Sequence, residues 1–112
     1  MDRIELLEEF KMLLVNRRNR VLGVVDISKG GLSGTVADPK VIFAAALKSC
    51  ASGIILAHNH PSGELNPSRE DIALTNKIKA GAEILDLKVL DHLIISNDSF
   101  YSFADEGLVQ LF

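Results

Sequence analysis

The chain reads as an α/β fold, a mixed sheet flanked by helices, and two observations predict it. Apolar, β-favouring runs recur at about Glu9 to Val15, Arg20 to Ser28, Ile54 to Ala57 and Leu87 to Ser96. Between them stand two segments that open on helix-capping residues, Asp38 and Ser68. Strands that alternate with helices place a sheet under a helical layer. With 112 residues, of which 47% are hydrophobic, the chain is expected to form one domain over residues 1–112 with a single core.

Taken in order, Asp2 to Leu7 suggests a short helical lead-in before the first strand, and Asn16 to Asn19 a polar turn after it. Lys29-Gly30-Gly31 breaks the second strand, and Leu32 to Val36 can form a third strand or an edge. Asp38-Pro39 is an N-cap followed by proline at the first helical position, so a helix runs from there to about Cys50. The Ile54 to Ala57 strand carries His58 and His60 at its end. Pro61 to Pro67 reads as a loop. Ser68 then caps a helix reaching about Ala82, with Asp71 in its first turn. After Leu87 to Ser96 come a turn at Asn97-Asp98 and a last strand near Phe100.

The chemistry concentrates in H-x-H-x7-S-x-x-D, which is His58, His60, Ser68 and Asp71. Residues two apart on a strand share a face at roughly 6.6 Å, so both imidazoles can turn toward one ion. The loop is long enough to fold the helix start over the strand end and bring Asp71 in as a third ligand. Ser68-x-x-Asp71 also fits a capping box, in which the carboxylate serves backbone N–H groups. Two histidines and one aspartate leave a position open for water, as in catalytic zinc sites, whereas structural zinc is usually closed by four ligands, often thiolates. The chain has one cysteine, Cys50, which reads as a small core residue at a helix end.

His58-Asn59-His60-Pro61-Ser62-Gly63, Pro67-Ser68 with Asp71, and Val89-Leu90-Asp91-His92 resemble the C-terminal domain of RadC-like proteins, within the JAMM/MPN+ metalloprotease superfamily. The resemblance extends from about Glu8 to about Gly107. It implies the JAB/MPN, cytidine-deaminase-like α-β-α architecture, and one zinc ion held by His58, His60 and Asp71. It also implies a catalytic hydroxyl, Ser68, that steadies the tetrahedral intermediate, and an upstream glutamate that activates water. In the family that glutamate stands two residues before an aromatic, which selects Glu8 ahead of Phe10. Glu9 would point to the other face of the strand. The expected activity is zinc-dependent hydrolysis of peptide or isopeptide bonds, with a peptide or protein as substrate. The alternative is a non-catalytic or DNA-repair-associated accessory module that keeps the metal-binding fold.

Two departures bound the transfer. Asn59 stands where deubiquitinating members usually have Ser or Thr, so ubiquitin is not the expected substrate. The helix-hairpin-helix region that RadC-like proteins commonly carry is not in this sequence.

Other motifs lose on inspection. The letters of His58-Asn59-His60 match a nuclease name, but that motif is spread over a much longer segment. Gly30-Gly31-Leu32-Ser33-Gly34 is not a nucleophile elbow, because the glycine follows the serine directly; it reads as a turn. His92, in an apolar strand, reads as a hydrogen-bonded core residue or a support for a ligand rather than a ligand. A net charge of −3 and a pI near 5.5 disfavour a nucleic-acid-binding face, apart from weak phosphate contacts at Arg17, Arg18 and Arg20. One cysteine argues against a disulfide framework. No apolar run approaches the roughly 20 residues that span a membrane, and the N-terminus does not open as a signal peptide, so a cytoplasmic protein is expected.

Overall fold

The computed structural model describes residues 8–29 and 37–107. Within them the order is β1 (Glu9–Val15), β2 (Val21–Lys29), α1 (Pro39–Lys48), β3 (Gly53–Asn59), α2 (Arg69–Ile84), β4 (Lys88–Ile95), β5 (Phe100–Ser102) and α3 (Phe103–Glu106). The expected lead-in at Asp2 to Leu7, the strand or edge at Leu32 to Val36 and the Gly30 to Gly34 turn lie outside the described residues.

The strands form a five-stranded sheet in the order β2-β1-β3-β4-β5. β1 runs antiparallel to both β2 and β3, β3 is parallel to β4, and β5 is antiparallel to β4. The sheet is therefore mixed, as the sequence predicts. A parallel pair needs a crossover of a dozen or more residues, and α2 supplies it between β3 and β4.

Alternation along β1 decides which side faces the helices. Phe10, Met12 and Leu14 are buried and join Ile54 and Leu56 of β3, Ile42 and Ala46 of α1, and Ile78 and Ala82 of α2 in one core. Lys11, on the other face, is exposed and pairs with Asp26 across to β2 at 2.8 Å. The two helices pack closely because Gly81 has no side chain. A Cβ there would lie 2.7 Å from ring carbons of Phe43.

Asn16 organises the β1–β2 turn, its Oδ1 accepting from the Arg18 and Arg20 N–H groups. Asn19 takes a positive φ of 60°, which asparagine tolerates better than most residues. Arg17, Arg18 and Arg20 are exposed there.

One expectation is corrected. Cys50 is exposed rather than in the core. Helix α1 stops at Lys48, and Cys50 takes a left-handed φ of 55° in the turn that follows. The buried position passes to Ala51. The short helix α3 was not expected from the sequence. Ser102 caps it, its Oγ accepting from the Asp105 N–H at 3.1 Å.

Candidate metal centre

The site is built at the C-terminal end of β3. Phe10 pairs with His58 across β1 and β3, and the two rings stack with centroids 5.3 Å apart and planes inclined by 7°. Asn59 points the other way along the strand, and its Oδ1 accepts from the Glu9 N–H at 2.7 Å. The amide thus ties the start of β1 to the end of β3. His60 stands one residue beyond β3. The chain turns there, with the Gly63 N–H donating to the His60 carbonyl and Gly63 at a φ of 81°, a conformation that favours glycine.

The loop returns to the N-terminus of α2, where the two readings of Ser68 and Asp71 prove to be compatible. The capping box is complete: Ser68 Oγ accepts from the Asp71 N–H at 3.0 Å, and Asp71 Oδ2 accepts from the Ser68 N–H at 2.9 Å. The same carboxylate lies against both imidazoles. Asp71 Oδ1 is 3.2 Å from His58 Nε2, Asp71 Oδ2 is 2.9 Å from His60 Nε2, and the two Nε2 atoms are 3.1 Å apart. Capping fixes the rotamer that delivers the carboxylate.

His58 is buried, while His60 and Asp71 are partly so. Burial works against ionisation of Asp71, but hydrogen bonds with His58 and His60 and from the Ser68 N–H outweigh it and hold the carboxyl well below the usual carboxylate range. His60 is raised above an ordinary histidine, first by its hydrogen bond to Asp71 and against a desolvation cost, with Glu8 adding a smaller electrostatic pull. His92, fully buried, is pushed down to about 3, first by burial and then by the adjacent His58.

This donor set fits a metal ion such as zinc. His60 Nδ1 is 2.9 Å from the Glu64 carbonyl, which can only accept, so Nδ1 carries the hydrogen and Nε2 of the neutral ring is bare. One ligand atom from each of His58, His60 and Asp71 lies within 4.8 Å of the others. Ligands bonded to tetrahedral zinc at about 2.0 to 2.1 Å stand roughly 3.3 Å from one another, close to the spacings here.

The remaining predicted residues fall around this centre. Ser68 is at the cap of α2, beside Asp71. Glu8 directly precedes β1, and continuing the β1–β3 register by two residues places it opposite His60, on the face that holds Phe10. Glu9 takes the opposite face. Sequence reasoning missed Thr75, whose Oγ1 lies 2.7 Å from the Asp71 carbonyl and 2.6 Å from His92 Nδ1. It stands four residues after Asp71, the spacing at which helical neighbours meet. Phe10 as a stacking partner was also missed.

A mixed sheet with helices packed on it, carrying H-x-H-x7-S-x-x-D from a strand end to a helix cap, defines the JAB/MPN class of α/β domains. Over residues 1–108 the chain matches the family described as the RadC-like JAB domain, and it belongs to that family. It is 52% identical over 101 residues to a UPF0758 protein of Flavobacterium johnsoniae, covering 90% of this chain and 44% of that one. UPF0758 proteins of Porphyromonas gingivalis and Geotalea uraniireducens are 46% and 44% identical, each over 91% of this chain and 45% of their own. The chain thus spans a little under half the length of these relatives.

Proposed function

We propose that the domain is a zinc-dependent hydrolase of peptide or isopeptide bonds. The observation that carries this reading is the convergence of two imidazole nitrogens and a carboxylate within 3.2 Å of one another. Three protein ligands leave a fourth position open, as catalytic rather than structural sites do. When bound, zinc brings a water to a pKa of about 7 and polarises a carbonyl.

His58, His60 and Asp71 would hold the ion. Glu8 takes the water proton and passes it to the leaving amine, because it stands on the histidine face of the strand and is not itself in the ligand set. Ser68 donates to the developing oxyanion. Accepting the Asp71 N–H occupies a lone pair of Ser68 Oγ and leaves the hydroxyl hydrogen free for that task. The substrate is a peptide or protein.

The test is hydrolysis of a peptide and isopeptide library by Glu8→Gln and Glu9→Gln, with zinc quantified on the same samples. Glu8→Gln is expected to keep its zinc and lose about 10² to 10⁴ in turnover, while Glu9→Gln changes little. Loss in Glu9→Gln alone would reverse the register. Full activity in both would remove this segment from the mechanism.

A further inference from the structure

We infer that His92 and Thr75 are positioning residues, a one-way hydrogen-bond relay that fixes the tautomer of His58 and keeps its Nε2 bare toward His60 and Asp71. The direction follows from donor counting. Thr75 Oγ1 is 2.7 Å from the Asp71 carbonyl, which has no hydrogen to give, so the hydroxyl donates there. Having spent its one hydrogen, Oγ1 can only accept from His92 Nδ1, 2.6 Å away. A neutral imidazole with its hydrogen on Nδ1 has a bare Nε2. That atom is 2.9 Å from His58 Nδ1 and therefore accepts from it. In the neutral ring this leaves His58 Nε2 unprotonated, 3.1 Å from His60 Nε2 and 3.2 Å from Asp71 Oδ1.

The relay starts and ends on the same residue, since Asp71 supplies its terminal carbonyl and meets its far end through the side chain. Reversal is blocked at that carbonyl. Each ring is also held by a stacked phenyl group: Phe10 lies on His58, and Phe103 on His92 with centroids 4.6 Å apart and planes inclined by 11°. His92 and Thr75 are both fully buried, so water does not compete for these bonds. The parallel pairing of β3 and β4 sets the reach, placing His92 beside Leu56 and one pleat back from His58. Partners of this kind typically change metal affinity by about 10- to 100-fold when removed.

The consequence for the metal rests on the proposed zinc reading; the tautomer does not. Long-range ¹H–¹⁵N imidazole spectra of the metal-free protein at mildly alkaline pH are expected to show both His58 and His92 with hydrogen on Nδ1. Thr75→Val, nearly isosteric but without the hydroxyl, should scramble those tautomers and weaken zinc about 10- to 100-fold in competition with a chromogenic chelator. Thr75→Ser should restore both. Hydrogen on His58 Nε2 in the wild-type metal-free protein would overturn the relay, as would Thr75→Val with unchanged tautomers and zinc affinity. Correct tautomers in a protein that takes up no zinc would uphold the relay and refute the zinc reading instead.

Discussion

Acidifying the metal-free protein from about pH 6 to about pH 4.5 should cost close to 2 kcal/mol of stability through His92 alone. The ring is completely buried and titrates near 3 in the folded chain, because burial and the neighbouring His58 oppose its charge. An unfolded histidine titrates at about 6.5. Between those values the unfolded chain binds more protons than the native one, so stability falls as pH falls. Protonation of the unfolded imidazole contributes about 0.8 kcal/mol at pH 6 and about 2.7 kcal/mol at pH 4.5, and the difference is the predicted loss. His60 works in the opposite sense. Its pKa is raised by Asp71, so its stabilisation is fully present below the ordinary histidine value and is lost only as pH rises through the raised one. Urea unfolding with chelator present, at the two pH values, measures the effect. His92→Gln should be less stable at both but nearly flat between them. An equal pH dependence in wild type and His92→Gln would refute the reasoning.

Two further outcomes follow from the site and the surface. Ser68→Ala should cost about 1 kcal/mol as a lost helix cap and depress turnover. Its zinc should stay near wild type, because the backbone N–H that holds Asp71 Oδ2 is still there; zinc loss, measured on the purified variant, would contradict this. Binding to duplex DNA should be weak at physiological salt, with a shallow salt slope, given a net charge of −3 and only Arg17, Arg18 and Arg20 at the hairpin tip. Sub-micromolar affinity removed by Arg17→Ala/Arg18→Ala, in a fluorescence anisotropy titration, would favour the accessory-module reading.

How much of this was legible in the sequence depended on how local the signal was. His58, His60, Ser68 and Asp71 lie within one strand end, one loop and one helix cap, and period-two alternation plus capping chemistry suffices to bring them together. The strand and helix bounds came within a few residues for the same reason. Thr75 and His92 are seventeen residues apart and meet only because β4 lies parallel beside β3. That pairing is not encoded in either segment alone. His92 was accordingly legible as a hydrogen-bonded support without its partners. Asn59 was read only as a departure from other family members, whereas its amide ties β3 to the Glu9 N–H.

Cys50 misled because residue type suggested burial, while the turn after α1 needs a left-handed residue whose side chain points outward. Helix α3, four residues long, is too short for a 3.6-residue period to register.

The most direct test of the account is the zinc content of the folded protein, purified without a metal-affinity tag and measured against its His58→Ala/His60→Ala variant. About one zinc per wild-type chain, and almost none in the variant, is the result expected from three converging ligands. Zinc undiminished in the variant would contradict the site.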